Sequence, residues 1–295
     1  IVVDLDKDEE DHEDGATDLP MAMSTRTGEI TLLQMDGNMT QKEIKEAVEM
    51  GMKACIEIKK VQVEALKAKY TEAGKWKYIE AVLLNGERID GRKFEEFRKP
   101  VEVSYDVSNK AEGSARVKIG KTEVIAGVKM DVGTPYPDSA DRGNLMMGAE
   151  RLPVSSPEFL PGPPNAETIE LARIVDRGIR ESGMIDLKKL CIREGELVWN
   201  IIVDIYTIND DGNLIDASAL AAVAALKNAV LPELVNDRVQ WGKFTKTKVP
   251  LNFEAINATV YKIGKELVID ANRDEEAAAD ARLSVSVSET GSVHA

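Results

Sequence analysis

The feature that most constrains this chain is an acidic segment that occurs twice, once near each end. Val2–Glu10 (VVDLDKDEE) and Val268–Glu276 (VIDANRDEE) both fit V-[VI]-D-x-x-x-D-E-E. After the first copy the chain continues through ITLLQMDG into a long helical pattern, whereas it ends at Ala295 soon after the second copy. This order predicts the tail of one domain followed by most of a second, related domain without its own tail. Because both termini fall in β-like runs, we expect a chain truncated at both ends.

The composition indicates an ordinary globular protein. Hydrophobic residues make up 43% and charged residues 31% of the chain, which is typical of folded domains. There is no apolar run of about 18 residues and no basic-then-apolar leader, which favours a cytoplasmic location. Cys55 and Cys191 lie in apolar settings and predict buried thiols rather than a disulfide or a metal site. A net charge of −14 disfavours nucleic acid as a partner of the whole surface, but a local basic stripe can still bind RNA.

The residue patterns predict an α+β fold, in which strands are interleaved with a few long helices. A capping box at Thr40–Glu43 begins a helix whose apolar stripe reaches about Tyr70. Residues 71–77 (TEAGKWK) form a polar segment that predicts a domain boundary, with domains at 1–73 and 74–295. Asn165 is predicted to cap a helix over 166–182, and Asp216 to cap a buried, Ala-rich helix over 217–230. Strands are predicted at 1–4, 21–24, 30–35, 101–107, 113–119, 122–131, 189–193, 197–208, 248–251, 255–262, 266–269 and 282–288.

Several motifs together carry a family resemblance that covers essentially the whole chain. Residues 75–295 resemble the non-catalytic ring subunit of the archaeal exosome, a member of the ribonuclease PH family. Residues 1–73 resemble the C-terminal part of the catalytic ring subunit of the same complex. The first match is carried by RIDGR (88–92), GNL (143–145), FLPGPP (159–164), IELARIVDR (169–177) and DASALA (216–221), and the second by DLPMA (18–22) and EITLLQMDG (29–37).

The resemblance implies a ribonuclease-PH-like fold and a phosphorolytic 3′→5′ exoribonuclease. In such a complex inorganic phosphate is the co-substrate, and three catalytic and three non-catalytic subunits alternate in a hexameric ring, with RNA-binding cap subunits as further partners. The family's phosphate-binding residues precede the portion of the catalytic subunit that matches here. We therefore expect this chain alone to lack activity.

The first acidic segment, taken with the residues that follow it as far as Asp18, contains the candidate catalytic residues. The family uses two Asp residues beside the scissile phosphate, which would hold Mg²⁺ or protonate the leaving oxygen. By position these are Asp11 and Asp18, with Asp14 as an alternative to Asp11. A solvated acidic loop is the competing interpretation, and an EF-hand is excluded because Glu9 stands where that loop needs Gly. In the second copy Asp280 can match Asp18, but Ala277–Ala279 replace the other carboxylate, so we expect that copy to be catalytically silent.

The helix predicted over 166–182 contains the candidate RNA-binding residues. Arg173, Arg177 and Arg180 recur at i, i+4 and i+7, which places them on one face, opposite a core face predicted to hold Ile169, Ala172, Val175 and Ile179. Guanidinium groups suit bidentate contacts to phosphate, and the family places RNA-contacting arginines on this helix. The alternative is ion pairing with Glu170, Asp176 and Glu181. For Arg88 and Arg92 we expect a structural arm.

The sequence therefore predicts a component of the archaeal RNA-degrading exosome ring that binds RNA and supports phosphorolysis. A purely structural, non-enzymatic ring scaffold is the alternative. A third possibility concerns packing: residues 31–70 could dock where the second domain lacks its own tail.

Overall fold

The computed structural model describes Val3 and residues 17–294, without the side chains of 66–73. The chain divides into two compact units, Ile1–Lys75 and Trp76–Ala295. No helix among the described residues is both long enough and apolar enough to cross a membrane. Strands and helices interleave throughout, so the predicted α+β class is confirmed.

The first unit contains a small hairpin and the start of a long helix. Strands β1 (Met21–Met23) and β2 (Ile30–Leu33) pair antiparallel, with Met21 opposite Leu33. Helix α1 (Gln41–Leu84) begins with the predicted capping box, in which the Thr40 amide donates to Glu43 Oε2 at 2.7 Å and the Glu43 amide donates to Thr40 Oγ1 at 3.3 Å. The predicted end near Tyr70 is wrong, because residues 71–77 contain no proline and one glycine is too weak a breaker to stop a helix.

A six-stranded sheet forms the framework of the second unit. Its strands run in the order β3-β4-β5-β8-β6, and β7 pairs with β8. The pair β6 and β8 is parallel, and the other pairs described in this sheet are antiparallel. The strands are β3 (Val101–Tyr105), β4 (Gly113–Ile119), β5 (Thr122–Gly133), β6 (Asn144–Arg151), β7 (Cys191–Arg193) and β8 (Leu197–Asn209).

Two helices cover this sheet. Helix α2 (Ala166–Arg180) begins at the predicted cap, because Asn165 Oδ1 accepts from the Thr168 amide. Helix α3 (Leu214–Asn228) is Ala-rich and almost wholly buried, as predicted. Its N-cap is Asn213 in the left-handed conformation (φ 54°), not Asp216. The carboxylate of Asp216 lies in the first turn and accepts hydrogen bonds from the amide and hydroxyl groups of Thr259, so it does not cap the helix.

A hairpin and a second sheet complete the unit. The hairpin joins β9 (Val230–Val235) and β10 (Arg238–Lys248) and was not predicted from the sequence. Its turn residues Asn236 and Asp237 have φ of 50° and 59°, the conformation that type I′ hairpin turns require. The second sheet has the order β12-β11-β13, with β11 (Ala255–Ile263), β12 (Glu266–Ile269) and β13 (Ala281–Ser288). Between β12 and β13 lies the short helix α4 (Arg273–Ala277).

Candidate nucleic-acid interface

The first acidic segment is largely outside the described residues. Asp11 and its alternative Asp14 both lie outside the residues that the structure describes. Asp18 is described and exposed, and its backbone pairs with Asp36 through two hydrogen bonds of 3.0 and 2.9 Å. This bridge extends the β1–β2 hairpin and places Asp18 at its open end. Among the side chains that the structure describes, no three His, Cys, Asp or Glu groups come together as a metal site.

The second acidic segment is buried and paired. Asp270, at the end of β12, accepts from the Arg98 amide (2.6 Å), Arg98 Nε (3.0 Å) and Arg98 Nη2 (2.9 Å). Glu275 receives Arg88 Nε at 2.9 Å and Arg88 Nη2 at 2.5 Å, and both side chains are fully buried. Arg92 Nη1 adds a contact to Asp270 at 3.2 Å. These carboxylates join the loop after β12 to the segment 88–98. Because they are buried, they are not available to a substrate.

The structural role predicted for Arg88 and Arg92 is therefore confirmed. Their guanidinium groups bind the loop that follows β12, including the carbonyl oxygen of Asp270 at 3.1 Å from each Nη2. Arg98 is the third member of this cluster and was not predicted from the sequence. The signal that could have found it is the acidic repeat itself, because buried carboxylates need cationic partners.

Three other acidic or phenolic groups form no ion pair with a cation in the described part of the chain. Burial raises the pKa of Asp216, although hydrogen bonds from Asn213 and Thr259 oppose the rise. Burial likewise raises the pKa of Glu276, which accepts from the Tyr261 hydroxyl at 2.8 Å. The pKa of Tyr261 is raised by the same burial and then by the neighbouring carboxylate. Asp216 and Glu276 are thus each bound by a residue of β11, Thr259 and Tyr261 respectively, and no hydrogen bond joins the two carboxylates.

Asp280, the match to Asp18, also has a local structural role. Its Oδ2 accepts from the Gly264 amide at 2.8 Å, which fixes the turn between β11 and β12. The described part of the second segment thus contains no free carboxylate pair. The catalytic silence of the second copy stays a prediction.

A cleft of about 600 Å³ lies between α2 and α4, and each arginine that lines it is paired with a carboxylate. Arg151 pairs with Glu167 at 2.6 Å, and Arg282 pairs with Glu170 at 2.6 Å. Arg273 pairs with Glu158 at 2.5 Å. Since each of these guanidinium groups already has a carboxylate, the described lining of the cleft offers no free cation for phosphate.

The exposed face of α2 does offer free cations. Arg173 and Arg177 are exposed, and no hydrogen bond or ion pair joins either guanidinium to another residue in the described part of the chain. Two of the three predicted ion pairs are therefore wrong: Glu170 binds Arg282 instead, and Glu181 does not reach Arg177. Unpaired guanidinium groups four residues apart on a helix form a ready binding surface for phosphates.

Arg180 differs from its two neighbours. It forms a bidentate pair with Asp176, with Nε–Oδ2 of 3.0 Å and Nη2–Oδ1 of 2.6 Å, and also donates to the Leu145 carbonyl oxygen at 2.9 Å. This pair is the one that helical spacing predicted. The predicted core face is also partly wrong, because Ile169 is 48% exposed and Leu171 is buried instead.

Comparison with known proteins places this architecture in a family. The model of the 3′ exoribonuclease family, domain 1 (RNase_PH), matches residues 96–232. Domain 2 of the same family (RNase_PH_C) matches twice, at 1–54 and 255–295. The acidic repeat thus reflects two pieces of the same kind of domain.

Curated relatives and solved structures agree with this match. The chain is 48% identical to the exosome complex component Rrp42 of Methanosarcina acetivorans over 73% of this chain and 79% of that protein. It is 48% identical to the Rrp42 component of Methanopyrus kandleri over 72% of this chain and 80% of that protein. An Archaeoglobus fulgidus exosome structure with RNA bound to the active site matches with 46% identity and a TM-score of 0.69, over 77% of this chain and 87% of that one. An archaeal exosome core matches with 43% identity and a TM-score of 0.68, over 78% and 86% of the two chains. The chain belongs to the ribonuclease PH family of 3′ exoribonucleases.

Proposed function

We propose that this chain is a ring subunit of an archaeal RNA-degrading exosome and binds RNA through Arg173 and Arg177. The observation that carries the proposal is the pair of unpaired guanidinium groups on the exposed face of α2. The relatives named as Rrp42 components of the exosome, at 48% identity, support the assignment. Arg180 remains a weaker candidate, because an RNA phosphate would have to compete with Asp176 for it.

Residues 74–295 act in this proposal as the non-catalytic part. The support is that Asp270 and Glu275 are held in buried ion pairs, so these two carboxylates are not available to a metal or a substrate. The ring partner, a catalytic subunit that alternates with this chain, would supply the complete phosphate site. RNA-binding cap subunits are further proposed partners.

Residues 1–73 act as a piece of a catalytic subunit, on the strength of the motifs at 18–22 and 29–37. Asp18 and Asp11, or Asp14 in its place, would be the carboxylates beside the scissile bond. Two carboxylates suit Mg²⁺, which prefers oxygen ligands and usually keeps several waters. When bound, the ion would neutralise charge on the attacked phosphate. Inorganic phosphate would be the co-substrate.

The test is phosphate-dependent release of nucleoside diphosphate from poly(A), measured for this chain alone and with a full-length catalytic partner. We expect activity only with the partner. Replacing Arg173 and Arg177 together with Ala should weaken RNA binding by the assembled ring at least about ten-fold, because each charge-assisted hydrogen bond contributes about 1.5–3 kcal/mol. The matched control replaces Arg26 and Arg142, two exposed arginines elsewhere, with Ala and should retain affinity.

Two outcomes would contradict parts of this proposal. Equal binding by the two double variants would remove the RNA contact from α2. Unchanged phosphorolysis after Asp18→Asn would show that the first acidic segment contributes nothing to chemistry, and would favour the alternative of a purely structural ring scaffold.

A further inference from the structure

A second basic surface lies on the β9–β10 hairpin. Its segment Trp241–Lys248 (WGKFTKTK), here called the basic–aromatic segment, contains three lysines, two aromatic residues and no carboxylate. The whole chain carries a net charge of −14, so an eight-residue stretch of this kind is a strong local exception. It plays no part in the function proposed above.

The backbone of β10 directs this segment away from the regular ladder. Gln240 pairs with Glu233, but the next paired residue is Phe244, opposite Pro232, so residues 241–243 bulge out. Gly242 has φ of +81°, which permits the sharp change of direction. A second irregularity separates Phe244 from Lys248. Bulges of this kind re-aim side chains, and here they leave Trp241 56% and Phe244 41% exposed.

Trp241 is held in place from one side. The ammonium group of Lys129, on β5, lies 4.2 Å from the centre of the indole ring. Lys129 is itself fixed by Glu112 Oε1 at 2.6 Å. The ring is therefore anchored although more than half of its surface is open. An anchored, exposed ring is suited to stacking, since little conformational entropy is lost when a planar ligand binds.

The lysines beside the rings are available. Lys243 and Lys246 are exposed, and neither ammonium forms a hydrogen bond or ion pair with any residue that the structure describes. Lysine on an edge strand often serves to prevent aggregation, but that role alone does not explain two exposed aromatic rings beside the lysines. Protein interfaces are depleted of lysine, whereas single-stranded nucleic acid binds where cations alternate with stacking platforms.

We propose that the basic–aromatic segment is a second contact surface for single-stranded RNA, distinct from the arginine face of α2. Bases stack on Trp241 and Phe244, and the ammonium groups of Lys243 and Lys246 neutralise the neighbouring phosphates. The inference rests on the proposed function only in that the ligand is RNA.

The test is fluorescence anisotropy of a labelled poly(A) strand titrated with the full chain at several salt concentrations. Lys243→Ala with Lys246→Ala should weaken binding several-fold and reduce the slope of log affinity against log salt by about 1.4, since each phosphate contact on a single strand contributes about 0.7. The matched control is Lys262→Ala with Lys265→Ala, two exposed lysines at the same spacing on the β11–β12 hairpin. The control should keep both affinity and slope.

A second measurement uses Trp241 itself. Trp241→Ala should weaken binding about five-fold or more, because stacking one base on an aromatic ring contributes on the order of 1 kcal/mol. Trp241→Phe keeps a stacking ring and should bind nearly normally, but it should lose the quenching of tryptophan emission that RNA causes in the unchanged chain.

Two results would overturn the inference. One is equal affinity and slope for the two lysine double variants. The other is Trp241 emission that responds to the catalytic ring partner and not to RNA, which would make the segment a protein interface. A failure of the proposed function gives a different result. In that case, replacing Arg173 and Arg177 while keeping Lys243 and Lys246 leaves RNA binding normal.

Discussion

At the scale of single residues, Asp270 and Asp216 show two ways of burying a carboxylate. Burial alone would raise the pKa of Asp270, but the hydrogen bonds and charge of Arg98 outweigh it and hold the pKa below the ordinary value. Asp216 accepts hydrogen bonds only from neutral groups among the described residues, and burial raises its pKa. The charged form of Asp270 is thus favoured by folding, whereas that of Asp216 is disfavoured.

Asp270→Asn should therefore destabilise the protein in a pH-dependent way. Removing one partner of a buried ion pair costs about 3 kcal/mol, because Arg98 is left without its counter-charge. The folded-state pKa of Asp270 is below its ordinary value of 3.8. Its contribution to stability is present above that value and is lost as the pH falls through the lower folded-state pKa. Urea unfolding of both proteins near neutral pH and again under acid conditions measures this difference.

The control for this prediction is Asp237→Asn, which breaks the exposed pair with Arg193. Exposed pairs contribute little, so this variant should unfold close to the unchanged protein. A difference between the Asp270 variant and the unchanged protein that stays constant from neutral to acid pH would contradict the role assigned to the Asp270 charge.

At the scale of elements, the packing of α3 on the large sheet depends on small side chains. Ala217, Ala221, Ala222 and Ala225 are completely buried, so the helix approaches the strands closely. Gly113 on β4 lies directly beneath it. A Cβ at this position would meet the carbonyl oxygen of Ala225, and would lie 2.5 Å from Ala229 Cα and 2.6 Å from Ala229 Cβ. Two of these contacts are to backbone atoms, which cannot turn aside.

Gly113→Ala should destabilise the protein by about 1–3 kcal/mol, as expected for overpacking. Gly127→Ala, on the adjacent strand β5, provides the control, because the nearest atom to its added Cβ is Ala111 Cβ at an ordinary 3.9 Å. That variant should be neutral or slightly more stable, since alanine loses less backbone entropy than glycine on folding. Urea midpoints of the two variants test the comparison, and equal midpoints would contradict close packing at Gly113.

At the scale of the whole molecule, the second unit has two hydrophobic cores. The larger lies between the six-stranded sheet and α2 and α3. The smaller is formed by the β11–β12 hairpin and the last turns of α1, with Ile79, Leu83, Tyr261, Ile263 and Val268 all fully or almost fully buried. The end of α1 thus belongs to the core beside the buried ionic cluster.

Leu83→Ala tests this placement. Leu83 is 1% exposed, and its truncation should lower the free energy of unfolding by about 3 kcal/mol through lost burial and a residual cavity. The adjacent Leu84 is 53% exposed, so Leu84→Ala should change the free energy by no more than about 0.5 kcal/mol. Chemical denaturation of both variants provides the measurement, and similar losses at the two positions would be inconsistent with a buried helix end.

The packing of residues 31–70 onto the second unit stays a prediction. Intramolecular docking would bring residues 41–70 against 217–230 and 255–269. A crystal structure with that helix packed elsewhere would contradict it.

Much of the local structure could be predicted because its causes are local. The capping box at Thr40, the cap at Asn165 and the buried Ala-rich helix follow from neighbouring residues, and the structure confirms all three. The β9–β10 hairpin was missed because its turn, Asn236–Asp237, depends on two left-handed residues and its strands carry few regularly alternating apolar residues. The boundary of α1 was misplaced because polar residues do not stop a helix unless they break its hydrogen bonds.

The sequence by itself determined the family, the duplication of the acidic segment and the face of α2 that carries Arg173 and Arg177, because these depend on motifs and on helical period. Only the tertiary structure decided which charges are free. Arg173 has no partner among the described residues, since Glu170, the residue expected to pair with it, is bound to the remote Arg282. Asp270 and Glu275 are bound to arginines that lie more than 170 positions away in sequence. Pairing of charges depends on distances between segments remote in sequence, and folding alone sets those distances.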